Sequence, residues 1–327
     1  MKNVLITGGL GFIGFSLCLF LQNKKIKIDL VDKKKINNNF KKLINKDYVK
    51  YKNINLENYS NLKVLRKDYD YIFHLAAFNG TNFFYKYPIE VINSNYKTTE
   101  NLLNYFSRSN KLKKFIFSST SEVYASTINK GFSSFPTNEN VLLSIEDIKN
   151  PRWSYAASKI LCEVMINSFK IKYPKFNYLI IRYHNVYGPL QKDHFIPEYL
   201  ERLLIKKKNI IIGNDERSYI YIDDALVHTY NLAIHVKLKN QIINIGTNNS
   251  YSSIQIAKKI NSYLNVKSKI IIRKSKKGSV KKRIPDITKL NKYSDYINQT
   301  NLEEGIKKIL QFNYKKYIKN RINLFKK

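Results

Sequence analysis

The chain has 327 residues, 43% of them hydrophobic, and a formal net charge of +34. That length suits one large domain or two fused lobes with a substantial core, and no apolar run approaches the ~20 residues that cross a bilayer. Two cysteines are too few for a disulfide framework or a metal cluster. The positive charge reads as a lysine background scattered over helix faces and loops, so nucleic acid is not an expected partner, although a positive field attracts an anionic substrate.

Met1-Lys2 leads straight into a strand-like run without a cleavage-site pattern, so a cytoplasmic protein is expected. Val4 to Thr7 reads as a strand and Gly11 to Leu21 as a helix. Ile28 to Val31, Val49 to Ile54, Tyr71 to Leu75, Phe115 to Ser118 and Tyr178 to Arg182 read as further strands, alternating with helical segments. This alternation predicts an α/β fold: a Rossmann-type, doubly wound parallel sheet with helices on both faces. After Tyr187-Gly188-Pro189 the pattern mixes helices with short strands at Ile210 to Ile212, Ile242 to Ile245 and Ile270 to Ile272. Residues 1–187 are therefore expected to form the dinucleotide-binding domain. Residues 188–327 form a smaller, partly interleaved substrate lobe, with part of 214–247 returning to the first. The lysine-rich end from Tyr314 to Lys327 reads as a terminal helix or tail.

Thr7-Gly8-Gly9-Leu10-Gly11-Phe12-Ile13-Gly14 follows the first strand and opens the first helix. Gly8 permits a tight turn, Gly11 lets backbone approach a pyrophosphate, and Gly14 lets helix pack closely on sheet. The helix N-terminus then offers unpaired N–H groups and the positive end of its dipole. Asp32, at the end of the second strand, is placed to accept hydrogen bonds from an adenosine ribose and to repel a 2′-phosphate. NAD is thus the expected cofactor, although Lys33, Lys34 and Lys35 weaken the preference over NADP.

Tyr155-Ala156-Ala157-Ser158-Lys159 puts Tyr155 and Lys159 on one helix face. A nearby ammonium favours the phenolate, so the Tyr155 pKa is expected to fall below its reference of about 10. Such a tyrosine takes a proton from a hydroxyl while nicotinamide takes the hydride. Ser118-Ser119-Thr120-Ser121-Glu122 ends a strand, where ligand-binding residues gather in open α/β sheets. Thr120 is expected to hydrogen-bond the reacting oxygen, and Glu122 is a candidate second acid/base.

Together these residues resemble the extended short-chain dehydrogenase/reductase family, the NAD-dependent nucleotide-sugar epimerases and dehydratases. The resemblance runs from Met1 to about Asp286. It includes His74-Leu75-Ala76-Ala77, Asn95, Arg182-Tyr183-His184-Asn185-Val186-Tyr187-Gly188-Pro189, Arg217 to Asp224, and Arg283 to Asp286. It implies that Phe12, Ile13, Leu75, Ala76, Ala77, Asn95, Ser118 and Tyr183 attend the cofactor, with Asn55 and Leu56 near its adenine. Asn55 stands where relatives usually carry Asp. It further implies that Ser121, Asn185, Arg217 and Arg283 attend a nucleotide-diphosphate sugar, arginine being suited to phosphate by its bidentate fork. No metal is implied. A homodimer through the helices holding Asn95 and Tyr155 is.

In this family the sugar C4 hydroxyl is oxidised first and the next step defines the enzyme. Thr120-Ser121-Glu122 resembles the triplet of GDP-mannose 4,6-dehydratases and UDP-glucuronate decarboxylases. Asn150-Pro151-Arg152-Trp153-Ser154-Tyr155 resembles a decarboxylase segment. Loss of water or carbon dioxide from a 4-keto intermediate is therefore expected before simple 4-epimerisation.

Overall fold

The computed structural model describes residues 1–206, 209–273 and 278–312. The tail from Tyr314 to Lys327 lies outside the described residues. In chain order the elements are β1 (Asn3–Thr7), α1 (Phe12–Asn23), β2 (Lys27–Asp32), α2 (Asn38–Leu43), β3 (Val49–Asn53), β4 (Tyr71–His74), α3 (Thr81–Lys86) and α4 (Pro88–Phe106). They continue with β5 (Lys114–Thr120), α5 (Ala125–Asn129), α6 (Trp153–Lys172), β6 (Tyr178–Tyr183), β7 (Val186–Tyr187), α7 (Phe195–Lys206), β8 (Asn209–Ile212), β9 (Glu216–Ser218) and β10 (Ile220–Tyr221). The last are α8 (Ile222–Ile234), β11 (Gln241–Ile245), β12 (Ser250–Ser252), α9 (Ser253–Tyr263), β13 (Lys269–Ile272), β14 (Lys282–Arg283), α10 (Thr288–Tyr293) and α11 (Leu302–Gln311).

Seven strands form one parallel sheet in the order β11-β6-β5-β4-β1-β2-β3. The Rossmann-type reading of the fold thus holds. Strand side chains alternate between faces, which divides the core in two. Val4 and Ile6 pack with Phe15, Leu17 and Leu21 of α1. Leu5 packs on the other face with Leu102 and Phe106 of α4 and Ile166 of α6. Both faces are covered, so the strands are near-continuous apolar runs. Strand order reverses between β1 and β4, and their carboxyl ends open the crevice where such sheets bind ligands.

Past residue 187 the chain builds smaller sheets: β13 with β8, β10 with β7, and β12-β9-β14. The segment Ile242 to Ile245 belongs to β11, which joins the large sheet beside β6. Helix α9 starts at a capping box made by Ser252 and Gln255. Strand β14 lies parallel to β9 with Arg283 in register with Arg217. That pairing delivers two arginines from distant sequence to one end of the crevice.

Candidate active site

A cleft of 570 Å³ runs from the glycine turn after β1, across the ends of β5 and β6, to β9 and Arg283. At the first end the backbone is closely fitted. Gly8 has a φ of +68°, and a Cβ there would lie 2.6 Å from Ala76 N. A Cβ on Gly14 would fall 2.3 Å from Gly8 O. Helix α1 begins at Gly11 with no side-chain cap and no acidic residue in its first turn. Its leading N–H groups therefore suit a pyrophosphate. Asp32 ends β2, where Oδ2 accepts from Leu10 N at 3.0 Å and Oδ1 from Lys34 N at 2.9 Å. Each oxygen keeps a second lone pair for a ribose hydroxyl. Lys33 is drawn aside to Glu57, 3.2 Å away. A glycine cradle that side chains would fill, an uncapped helix start and a carboxylate at the second strand end fit NAD.

Gly8, Gly11, Phe12, Ile13, Gly14, Leu75, Ala77, Ser118 and Tyr183 line the cleft. Asn95, Asn55, Leu56 and Ala76, also expected at the cofactor, are not among the residues lining the cleft. Asn95 is buried on α4, where its Oδ1 accepts from Phe78 N at 2.8 Å and its Nδ2 donates to Ser158 Oγ at 3.0 Å. Its amide braces the loop after β4 against α6 and keeps a second lone pair and a second N–H. Asn55 turns its side chain to Glu57 N in its own loop. Leu56 is buried in the core beneath the sheet. Ala76 lies against Gly8 and serves the cofactor only by fixing that turn.

Tyr155 and Lys159 both face the sheet from α6. Lys159 Nζ donates to Ser118 O at 2.7 Å and lies 5.9 Å from the centre of the Tyr155 ring. Burial draws the lysine down to about 8, against the pull of Glu163. The expectation of a lowered Tyr155 pKa is reversed here. Burial pushes the phenol well above its usual range, the Glu122 carboxylate adds to this, and a hydrogen bond from Thr120 opposes it. The i, i+4 spacing put the two groups on one face, but the ammonium is spent on a carbonyl. Phe84 of α3 stacks on the Tyr155 ring, centroids 4.9 Å apart and planes 10° apart.

At the other end Glu122 sits between two guanidinium groups. Its Oε1 accepts from Arg283 Nη2 at 2.6 Å and its Oε2 lies 3.1 Å from Arg152 Nη2. Burial alone raises this carboxyl, but Arg283, Arg152 and Arg217 outweigh it and bring the pKa down to about 2. The expected second acid/base is therefore held as a paired anion, a poor acid and a weak base. Arg283 Nη1 also donates to Ser121 Oγ at 3.2 Å. Arg217 donates to Glu216 O at 2.9 Å and lies 3.6 Å from Asp215. Lys34, Lys192, Arg152, Arg217 and Arg283 line the cleft with Glu122, Asp193 and Asp215, an excess of two positive charges. Asn185 is part of the same wall.

Behind the cleft lies a buried polar network. Arg182 grips Glu163 through Nε at 3.0 Å and Nη2 at 2.6 Å, and its Nη1 reaches Tyr124 Oη and Glu139 O. Ser119 donates to the same Glu163, and Tyr124 donates to Asn244 on β11. This network ties β5, α6, β6 and β11 together directly under Ser118 and Lys159. The sequence reading did not assign roles to Arg152, Phe84 or Glu163. Arg152 lies three residues before Tyr155, a spacing that places it on the same helix face. Phe84 sits in an aromatic run with no such signal.

The chain is similar to three kinds of protein. The chain is 30% identical to the UDP-N-acetyl-alpha-D-glucosaminuronate decarboxylase of Bacillus cytotoxicus over 95% of this chain and 97% of that one. It is 33% identical to the dTDP-D-glucose 4,6-dehydratase of Dictyostelium discoideum over 80% of this chain and 62% of that one. The solved UDP-glucose 4-epimerase of Thermotoga maritima superposes with a TM-score of 0.82 at 26% identity, covering 97% of this chain and 100% of that one. The family model for NAD dependent epimerases/dehydratases matches residues 4–246, the span that holds the glycine cradle, Tyr155, Lys159 and the Arg152–Glu122 pair. The chain is a member of the NAD dependent epimerase/dehydratase family.

Proposed function

We propose that the chain is a nucleotide-sugar decarboxylase that acts through a 4-keto intermediate. The observation that carries this reading is the clamp on Glu122 by Arg283 and Arg152. A 4,6-dehydratase needs a base for the C5 proton and an acid for the departing C6 hydroxyl. Glu122, held near 2, suits neither. Decarboxylation needs no such pair. A sugar with a C6 carboxylate instead needs cations to bind it, and a planar guanidinium fork matches a carboxylate bidentately.

In this mechanism Tyr155 acts from its phenolate form, which the positive charge of Lys159 and of the bound oxidised nicotinamide would favour against burial. It removes the C4 hydroxyl proton, with Thr120 hydrogen-bonded to the same oxygen. NAD, when bound, supplies the acceptor for the C4 hydride. The C6 carboxylate is bound by donors of the same two guanidinium groups that Glu122 does not occupy, Arg283 Nε and Arg152 Nη1, so that the clamp on Glu122 stays in place. The C5–C6 bonding pair then moves toward the C4 carbonyl as carbon dioxide leaves, and the resulting enolate takes a proton at C5 from water. The hydride then returns to C4 and the Tyr155 proton to its oxygen, so that the cofactor ends as NAD and the product differs from the substrate by carbon dioxide alone. Asn185 and Arg217 hold the diphosphate, and Ser121 steadies Arg283. In this reading residues 1–187 serve mainly the cofactor and the chain beyond them mainly the substrate.

The decisive experiment incubates the protein and NAD with UDP-, GDP-, CDP- and dTDP-sugars, both hexoses and uronates, and reads product masses. Loss of carbon dioxide from a uronate is expected. Loss of water from a hexose establishes the dehydratase reading, which the Dictyostelium relative favours. Conversion without change of mass establishes a 4-epimerase.

We further infer a homodimer through α4 and α6, which pack side by side. Ile89, Ile92, Leu161 and Val164 on these helices are exposed, as an apolar face awaiting a second copy would be. Light scattering coupled to size exclusion should give twice the chain mass. The double substitution Leu161→Glu with Val164→Glu should give a monomer.

A further inference from the structure

Phe84 is the aromatic side chain stacked on Tyr155 among the described residues, while Lys159 Nζ lies over the same ring at 5.9 Å. The Phe84 ring lies parallel to the phenol ring in an offset stack, both residues being 6% exposed. With Val91 they form a small apolar cluster separate from the two main cores, flanked by Phe78. Offset stacking of this kind is a favoured aromatic geometry.

The helix that carries Phe84 is itself anchored. Gly80, with a φ of +140°, turns the chain into α3, and its carbonyl accepts from Phe83 N and Phe84 N. Upstream, Phe78 N is held by Asn95, and Asn95 holds Ser158, the residue before Lys159. Phe78 and Phe83 pack with ring centres 5.0 Å apart. The segment over the phenol is thus fastened to the helix that supplies the phenol.

We propose that Phe84 is a positioning residue for proton transfer: stacked on Tyr155, it fixes the plane of the phenol and keeps water from that face. The proposal rests on Tyr155 acting as the base in the reaction set out above. Ring plane and hydration both matter, since proton transfer requires the phenol oxygen within hydrogen-bond reach of the sugar hydroxyl. Burial is also the first cause of the raised phenol pKa. Opening one face therefore lowers the pKa of Tyr155.

The test compares Phe84→Leu and Phe84→Tyr with the parent chain, using the substrate identified by product mass. For Phe84→Leu, kcat should fall roughly tenfold, and the acid limb of the kcat/KM profile should move to lower pH. NAD affinity, read by fluorescence quenching without substrate, should stay within about twofold, because Phe84 touches no part of the glycine cradle. Phe84→Tyr keeps the ring and should restore both kcat and the position of the limb. A Phe84→Leu protein that melts lower but keeps its pH limb and kcat overturns the proposal, since it shows packing alone. The same holds if Phe84→Tyr fails to restore the limb. Tyr155→Phe is run alongside: if that variant turns over normally, the reading of Tyr155 as base fails, and this is distinguishable from failure of the Phe84 proposal alone.

Discussion

The cofactor end of the cleft is made of backbone, whereas its sugar end is made of charged side chains. Gly8, Gly11 and Gly14 come from one short segment, and their service is to have no Cβ where Ala76 N and Gly8 O approach. Arg152, Arg217 and Arg283 come from three separate segments and meet around Glu122. The first end is rigid because close packing leaves no alternative. The second is poised because three like charges are held together by two carboxylates, Glu122 and Asp215. A substrate anion can enter that arrangement at the donors Glu122 leaves open.

Five substitutions test this contrast, from the largest expected effect on function to the smallest on the fold. Tyr155→Phe, at the junction of the two ends, should cut turnover by about 10²–10⁴-fold while leaving NAD affinity intact; near-normal turnover would end the mechanism. Gly14→Ala should abolish measurable NAD binding and lower stability by about 1–3 kcal/mol, because its Cβ meets backbone that cannot move aside. Chemical denaturation and fluorescence titration check both, and an unchanged pair of values would show that the cradle is not rigid.

Arg283→Met should lower stability by about 2–4 kcal/mol, since it leaves a partly buried Glu122 with one partner fewer. It should weaken the nucleotide sugar and spare NAD. The pH dependence has a defined sign. Glu122 titrates from an ordinary value of 4.5 down to about 2 when folded. The pair therefore contributes stability that is complete above about pH 4.5 and is lost as pH falls toward 2. Glu122→Gln should flatten that part of the stability profile.

Lys159→Met has the smallest effect on the fold and the opposite sign. The buried ammonium has its pKa drawn from 10.5 to about 8. Below pH 8 both folded and unfolded chains hold the proton, and the burial penalty is fully present. Between pH 8 and 10.5 the unfolded chain holds it and the folded chain releases it, so stability rises with pH. At pH 7 the methionine variant should thus be more stable by about 1–3 kcal/mol while losing turnover. A variant less stable than the parent would mean that Lys159 holds β5 and α6 together.

Much of the cofactor end was legible in the chain because its determinants are local. Glycine spacing, strand–turn–helix order and an acidic residue at the next strand end all lie within Val4 to Asp32. Asn95 shows the limit of such reading. The resemblance implies a cofactor residue, whereas the folded chain gives its amide contacts to Phe78 and Ser158 that no local pattern announces. Tyr155 shows another, since spacing places two side chains on one face without deciding where an ammonium points.

The alternation of strands and helices, the shared α6 face of Tyr155 and Lys159 and the cofactor turn followed from periodicity and glycine placement, which act over a few residues. Tertiary structure alone decided the electrostatics. It paired Glu122 with Arg283, laid Phe84 on Tyr155, and joined Arg182 to Glu163 beneath the sheet. These depend on burial and on contacts across up to 161 positions of chain. A pKa or an ion pair is set by what lies within a few ångströms in space, and no local pattern encodes that.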